Sequence, residues 1–443
     1  MGFNKNFVWG TATASYQIEG GAFEDGRGLC VWDQFAATPG KIEDGQTGEV
    51  ACDSYHKFHE DLDILKTIGV NAYRFSLSWP RLLPNGIGQM NQKGFDYYDR
   101  MIDSLLENNI TPYITLFHWD FPLELYFKGG WLNRDSKYWF AEYTQKVISR
   151  YSDRVSNWIT HNEPQCFIGL GHEKGVHAPG LVLPKPEVIR CWHNALAAHG
   201  EAVSVIRSDA KLKPNIAIVS CGDIQIPNTN TPEDIEACRH SAFCRDRGNY
   251  QGLQHVDLFD PVMFGNYPEH LIDFLPSYYH EDMKSISQEL DYLCLNIYSG
   301  FKIKRHSEGW PDVVPDVRGT ARSSTDWVVR DDSLYWAVRF INERYHKPIC
   351  ITENGIANND WVSLDGKVHD PQRIDYIHRY LKSLKRACEE GYDVLGYFYW
   401  TLRDNYEWAC GYKKRFGLTY IDYNDCSRIL KDSAYYYHDI IKT

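Results

Sequence analysis

Two glutamates lie at the ends of apolar, strand-like runs that are far apart in the chain. Glu163 ends such a run in "NWITHNEPQ", residues 157–165, and Glu353 ends one in "KPICITENGIAN", residues 347–358. Two carboxyl groups that flank a glycosidic bond can cleave it, one as proton donor and the other as nucleophile or base. If the two segments meet in space, they predict this acid–base chemistry on a sugar.

The two carboxyl groups would need opposite surroundings. A proton donor needs apolar or anionic neighbours, whereas a nucleophile needs cationic or hydrogen-bonding neighbours that keep it ionised. Arg74 in "AYRFSLSWP" and Tyr298 in "LNIYSG" are the groups predicted to hold Glu353 as an anion. The simpler alternative is that Glu353 is a surface residue capping the next helix and that Arg74 forms an ordinary ion pair. In the catalytic interpretation, Glu353 is a rim carboxylate that should contribute little to the core, so Glu353→Ala should leave the fold intact.

The elements that must position these groups are strands alternating with helices. Between the strand-like runs, apolar residues recur at spacings of three and four, as in Tyr55, Phe58, Leu62 and Leu65. Asp370 and Pro371 resemble an N-cap and first turn of one such helix. Eight runs are predicted as strands: Phe7–Thr13, Ala72–Trp79, Tyr113–Trp119, Trp158–Asn162, Asn215–Cys221, Tyr292–Tyr298, Pro348–Glu353 and Val394–Thr401.

Eight strands alternating with helices predict an α/β fold, a single (β/α)₈ TIM barrel with long βα loops. An open doubly wound sheet is the alternative, but no G-x-G-x-x-G follows the first strand. No Pro/Gly/Ser-rich linker divides the chain, so we expect one domain over residues 1–443. The polar stretches 222–290 and 300–330 are predicted to be irregular insertions. Both glutamates would then lie at the carboxyl ends of strands, on the same face of the barrel.

Composition narrows the class of partner. The net charge of −12 argues against a nucleic-acid partner. The sequence contains no run of about 18 apolar residues, so we expect no membrane span. Aromatic residues reach 14%, which suits either a large core or stacking against the C–H faces of sugars. The twelve cysteines form no C-x-x-C pair, and the first ten residues lack the apolar region of a signal peptide. We therefore expect reduced thiols in a cytoplasmic protein.

Seven fragments together resemble glycoside hydrolase family 1, the β-glucosidase family. They are "FVWGTATASYQIEGG", "YRFSLSWPR", "TLFHWDFP", "THNEP" with "GVHAPG", "ITENG" and "DNYEWACGYKKRFGL", and they occur in the family's order. The resemblance implies a TIM barrel and exo-cleavage of a terminal β-linked glucosyl residue with retention of configuration, with cellobiose, cello-oligosaccharides and aryl or alkyl β-glucosides as substrates. It also implies that Glu163 is the general acid/base and Glu353 the nucleophile.

The same resemblance implies a set of sugar-binding residues. Amides, an imidazole and a carboxylate can bridge neighbouring hydroxyl groups, and a Trp floor can contact the apolar face of the ring. Several of these residues could instead be barrel core or turn residues, as could the aromatic run that ends at Trp400. The implied set is Gln17, His118, Trp119, Asn162, Asn296, Tyr298, Trp327, Trp400, Glu407, Trp408 and Phe416.

Rival functions differ at identifiable positions. A 6-phospho-β-glycosidase would lack the carboxylate at Glu407, since an anion there would repel phosphate, and a non-catalytic sugar-binding barrel would lack Glu163 or Glu353. Lys413, Lys414 and Arg415 are predicted to form a solvated loop or structural ion pairs. His172 and His177 lack further ligands, so we expect no metal and no cofactor. The oligomeric state, a homo-oligomer included, is left open.

The segment "TDWVVRDDSL", residues 325–334, departs from the family by carrying Asp331 and Ser333 in place of Pro and Gly. Asp and Ser cap helices well, so we expect a helix to begin there. Tyr436, where the family usually has Trp, should have no catalytic consequence.

Overall fold

Eight parallel strands close into a barrel with helices between them. The computed structural model describes residues 3–244, 252–306 and 311–443. Each strand pairs with its sequence neighbours, and the last strand pairs with the first, so the sheet has no free edge. The barrel strands are β1 (Val8–Ala12), β2 (Ala72–Ser76), β3 (Thr111–Phe117), β4 (Asn157–Asn162), β5 (Asn215–Ser220), β6 (Leu293–Asn296), β7 (Ile349–Asn354) and β8 (Val394–Trp400).

All eight predicted strands are present, and the doubly wound alternative is wrong because β1 pairs with both β2 and β8. The second predicted strand, Ala72–Trp79, is too long. The observed strand β2 ends at Ser76, and Trp79–Leu82 is a short helix with Pro80 in its first turn. Proline at this position lacks only a donor that a helix leaves unused.

A helix follows each strand and covers the outside of the barrel. These helices are Ser54–Ile68, Gln92–Glu107, Ser136–Tyr151, Lys185–Asp209, Tyr279–Ile286, Ser333–Tyr345, Pro371–Glu389 and Asp432–Lys442. The predicted stripe of Tyr55, Phe58, Leu62 and Leu65 lies on the first of them, and its apolar side chains pack on the core. The other helices and turns are Ser15–Ile18, Val31–Ala37, Glu43–Gly45, Trp79–Leu82, Leu123–Tyr126, Gly130–Leu132, Pro164–Ile168, Gly169–Glu173, Pro232–Phe243, His255–Phe264, Glu269–Ile272 and Trp408–Cys410.

At two predicted helix starts, the side chain of the N-cap residue makes no capping hydrogen bond. Asp370 is the N-cap of Pro371–Glu389, but its carboxylate binds Arg373 and the backbone N–H and hydroxyl of Ser433. The other helix begins at Ser333 with Asp332 as N-cap, and that side chain makes no capping bond. At Asp370, bonds to Arg373 and Ser433 therefore take the place of the usual capping bond.

The stretch 222–290 is more regular than predicted. It contains the helices Pro232–Phe243, His255–Phe264, Glu269–Ile272 and Tyr279–Ile286. A small three-stranded sheet joins it to the stretch 300–330, through strands Gln225–Pro227, Phe301–Lys304 and Asp312–Val313. Residues 245–251 and 307–310 of these stretches lie outside the described residues. The prediction of irregular insertions is wrong for most of 222–290, because tertiary pairing orders a polar sequence.

The C-terminal segment packs back on the first strand. An antiparallel pair, Thr419–Asp422 with Ser427–Leu430, follows β8. In the last helix, the Tyr437 hydroxyl donates to the Gly10 carbonyl at 2.9 Å. Among the described residues, no helix combines the length and apolarity needed to cross a membrane.

Candidate active site

A cavity of about 560 Å³ lies at the carboxyl ends of the barrel strands. Its wall includes ten of the residues singled out from the sequence: His118, Trp119, Glu163, Tyr298, Trp327, Glu353, Trp400, Glu407, Trp408 and Phe416. The other four, Gln17, Arg74, Asn162 and Asn296, lie behind this wall and hydrogen-bond to it. The fold therefore brings the whole predicted set together.

Glu163 lies one residue beyond β4, and its backbone is in the left-handed region at φ 48°. This conformation costs on the order of 1 kcal/mol for a residue other than glycine, and it turns the chain sharply before Pro164. Burial and, to a smaller extent, the nearby charge of Glu353 together raise the pKa of Glu163 to about 7. At neutral pH this carboxyl group therefore carries a proton for a substantial fraction of the time.

Glu353 lies near the end of β7 and is held by two donors. Arg74 Nη1 donates to Oε1 at 2.7 Å, and the Tyr298 hydroxyl donates to Oε2 at 2.7 Å. Burial raises the pKa of Glu353, whereas Arg74 and Tyr298 lower it. The surroundings thus favour the anion more strongly here than at Glu163.

The expectation that Glu353 lies at an exposed rim is wrong. Its side chain is 5% exposed and its partner Arg74 is completely buried. Removing one member of a buried ion pair leaves an uncompensated charge, which typically costs about 3–5 kcal/mol.

Asn162 and Asn296 connect the two carboxyl groups. The Asn162 Oδ1 atom accepts from Arg74 Nη2 at 2.7 Å and from Asn296 Nδ2 at 3.0 Å. Asn296 Nδ2 also donates to Glu163 Oε1 at 2.9 Å. The Thr352 hydroxyl donates to the Oδ1 atom of Asn296 at 2.7 Å. One hydrogen-bonded chain, Glu163–Asn296–Asn162–Arg74–Glu353, therefore links the ends of β4, β6, β2 and β7.

Other polar groups around the cavity have unused hydrogen-bonding capacity. Gln17 Nε2 donates to the Tyr406 carbonyl at 2.9 Å and lies 3.4 Å from Glu407 Oε2. Its Oε1 atom and His118 Nδ1 have no partner within the described part of the chain, although both are buried. Burial, together with the charges of Glu353 and Glu163, raises the pKa of Glu407 to about 8. Buried polar atoms without partners are costly, so they fit a polar ligand such as a sugar.

Aromatic rings form the floor and the entrance. The Trp119 and Trp408 rings lie 4.4 Å apart, and Trp400 is almost completely buried. Trp327 is 42% exposed and packs against Tyr298 with ring centroids 5.1 Å apart. The cavity is thus closed at its base and open where Trp327 lies.

Gly355, in "ITENG", is required by close packing. A Cβ atom at this position would lie 1.9 Å from the carbonyl oxygen of Trp400. Any other residue would push apart the ends of β7 and β8, which carry Glu353 and Trp400.

Several residues of the wall were not among the predicted catalytic and sugar-binding residues. Cys166 and Cys221 line the cavity beside Glu163. Lys414 also lines it and donates to the Ser324 carbonyl, whereas Lys413 pairs with Glu43 and Arg415 pairs with Asp404. The prediction of structural ion pairs is therefore confirmed for Lys413 and Arg415 but does not describe Lys414. The signal for Cys166 was its place three residues after the glutamate in "NEPQC"; nothing in the sequence connects Cys221 with this motif.

A closed (β/α)₈ barrel with two buried, linked carboxyl groups and an aromatic cavity at the strand ends is the architecture of a glycoside hydrolase. Comparison with known proteins agrees. The model of glycosyl hydrolase family 1 matches residues 1–443. A 1,4-β-D-glucan glucohydrolase of Thermotoga neapolitana is 45% identical, covering 99% of this chain and 98% of its own.

β-Glucosidase A of Thermotoga maritima is 44% identical over 99% of this chain and 98% of its own length. The solved structure of a β-glucosidase from Thermotoga maritima in complex with glucoimidazole superposes with a TM-score of 0.90 at 43% identity, covering 99% of this chain and 98% of that one. The chain belongs to glycosyl hydrolase family 1.

Proposed function

We propose that this protein is a retaining β-glucosidase that removes terminal, non-reducing β-D-glucosyl residues. The observation that carries the proposal is the pair of buried carboxyl groups on one cavity, of which only Glu353 is bound by a cation and a phenol. The relatives' names, β-glucosidase and 1,4-β-D-glucan glucohydrolase, support glucosides and cello-oligosaccharides as substrates.

In the first step, a carboxylate oxygen of Glu353 attacks the anomeric carbon. The glycosidic C–O bond breaks, and Glu163 gives its proton to the departing oxygen. In the second step, Glu163 takes a proton from water, the water oxygen bonds to the anomeric carbon, and the ester bond to Glu353 breaks. This double displacement requires the two carboxyl groups to be about 5 Å apart.

We assign the remaining wall to recognition of the sugar. Gln17, Glu407 and His118 would bind hydroxyl groups at one side of the ring, and Asn162 would bind them beside the reacting carbon. Trp400 and Trp408 would contact the apolar face of the sugar ring, with Trp119 behind them and Phe416 beside them. The exposed Trp327 would contact the leaving group. Polar groups fixed in this way discriminate strongly, since a missing hydroxyl leaves a buried group unpaired.

A 6-phospho-β-glycosidase is disfavoured because Glu407 lines the cavity and, when ionised, would repel a phosphate group there. A non-catalytic barrel is disfavoured because both glutamates are present and hydrogen-bonded to supporting groups. We further propose that residues 1–443 form one domain, supported by the pairing of β1 with β8. A role in cellulose degradation and a reducing, cytoplasmic setting are also proposed, the latter supported by twelve cysteines without disulfide bonds.

The test is trapping of the covalent intermediate. Incubation with a 2-deoxy-2-fluoro-β-glucoside bearing an activated leaving group should add one fluoroglucosyl group to Glu353, located by peptide mass spectrometry. Glu353→Gln is the matched control and should remain unlabelled. Nitrophenyl β-glucoside and its 6-phosphate should be compared in parallel. Labelling elsewhere, or faster cleavage of the phosphorylated substrate, would contradict the proposal.

A further inference from the structure

Two thiols and a carboxyl group converge at one end of the cavity. Cys166 lies on the helix that follows β4, and Cys221 lies one residue beyond β5. Their Sγ atoms are 3.5 Å apart, and each lies within 4.8 Å of a carboxylate oxygen of Glu163. All three residues line the cavity, so a small ion can reach them from solvent.

The spacing fits a metal ion better than it fits a disulfide bond. Two sulfur atoms bound tetrahedrally at about 2.3 Å from Zn²⁺ are about 3.8 Å apart. The observed 3.5 Å requires only a small adjustment to reach that separation, whereas a disulfide bond would draw the atoms together to about 2.05 Å. A carboxylate oxygen is a suitable third ligand, and a site facing a cavity has room for water as the fourth.

We propose that Cys166, Cys221 and Glu163 form a binding site for a thiophilic divalent cation such as Zn²⁺, and that the bound ion inhibits the enzyme. The ion displaces the protons of both thiols and of the carboxyl group and forms two bonds to sulfur and one to oxygen. No electrons are transferred. A Glu163 carboxylate bound to the ion has no proton to give to a leaving group.

The choice of ion follows from the ligands. Thiolates are soft ligands that favour Zn²⁺ and related ions over Mg²⁺ and Ca²⁺, which favour oxygen. Mg²⁺ should therefore neither bind at this site nor inhibit. This difference separates the proposed site from a general effect of divalent charge on an acidic protein.

The direct test is isothermal titration calorimetry of the reduced, metal-free protein with ZnCl₂. We expect one tight site in the native protein and a loss of affinity of about tenfold or more in Cys221→Ser, Cys166→Ser and Glu163→Gln. Cys410→Ser is the matched control, because Cys410 lines the same cavity but does not belong to the three-residue cluster. Its titration should match that of the native protein.

The second readout is inhibition, each variant being compared with its own rate without metal. Zn²⁺ should inhibit the native enzyme and Cys410→Ser, EDTA should restore the rate, and Cys221→Ser should need about tenfold more Zn²⁺ or more for half inhibition. Unchanged binding in all three ligand variants would overturn the proposal. Inhibition that a thiol reductant reverses and EDTA does not would also overturn it, since that result indicates oxidation.

The inhibitory consequence depends on the proposed role of Glu163, but the binding site does not. Calorimetry detects Zn²⁺ whether or not the protein hydrolyses a glucoside. If the protein binds Zn²⁺ through these residues but hydrolyses no glucoside, the proposed function fails and the metal site stands.

Discussion

The ends of β4 and β7 carry the same residue type in different surroundings. Glu163 is bound by the uncharged amide of Asn296, whereas Glu353 is bound by the Arg74 guanidinium and the Tyr298 hydroxyl. Burial raises the pKa of both carboxyl groups, but only at Glu353 does a directly bound cation oppose it. The neighbours of each glutamate, and not the residue type, therefore separate a proton donor from a nucleophile.

Glu353→Gln should give the largest effect on activity. Without an ionised nucleophile, kcat for every glucoside should fall by roughly ten-thousandfold or more. The amide keeps the shape and one acceptor for Arg74, so Glu353→Gln should fold. Steady-state kinetics with circular dichroism as a folding control measures both. For Glu353→Ala, added azide should restore activity and give the glucosyl azide with inverted configuration; azide without effect would count against the assignment.

Glu163→Gln should give a smaller effect that depends on the leaving group. Alkyl glucosides need protonation and should slow by about 100- to 10,000-fold, whereas dinitrophenyl glucoside should slow far less in its first step. Rates for a series of leaving groups of graded acidity test this expectation. Equal slowing of both extremes would mean that Glu163 is not the proton donor.

Arg74→Met should move the acid limb of the pH profile. Because Arg74 lowers the pKa of Glu353, its removal raises that pKa, and activity is then lost at a higher pH on acidification. We expect an upward shift of about 1 pH unit or more in kcat/KM. Arg74→Lys keeps the charge and serves as the matched control, with most of the native profile preserved. A limb that stays in place in Arg74→Met would contradict the comparison.

The smallest expected effect is the pH dependence of the activity of the native enzyme, which needs no substitution. Glu163 acts in its protonated form, and its pKa is raised to about 7, so activity should fall as the pH rises through about 7. The limbs of the bell-shaped profile belong to the coupled pair and not to single residues. In Glu163→Gln the basic limb should disappear for an activated glucoside, and its persistence would assign it to another group.

Much of the barrel could be predicted because its information is local. Strands such as Ile349–Asn354 are short apolar runs, and helices such as Pro371–Glu389 carry apolar residues with helical spacing. The regular structure of the stretch 222–290 could not be predicted, because its strand Gln225–Pro227 forms only by pairing with Phe301–Lys304. Such pairing joins residues far apart in sequence and leaves no local period.

The candidate site divides in the same way. The motifs "THNEP" and "ITENG" indicate both glutamates, and Asn162 directly precedes Glu163 in the first of them. The roles of Thr352 in orienting Asn296, and of Gly355 in allowing β7 to approach β8, depend on distances between strands. These contacts could not be predicted, since each depends on two or more chain segments at once.

The order of residues specifies which groups are available: two glutamates at strand ends, a cation for one of them, and polar and aromatic residues for a sugar. Their surroundings arise on folding, which buries Arg74 against Glu353 and places the Sγ atom of Cys221 3.5 Å from that of Cys166 beside Glu163. Folding is needed because pKa values and metal-binding geometry depend on separations of a few ångströms through space. Closure of the barrel sets those separations between residues that are far apart along the chain.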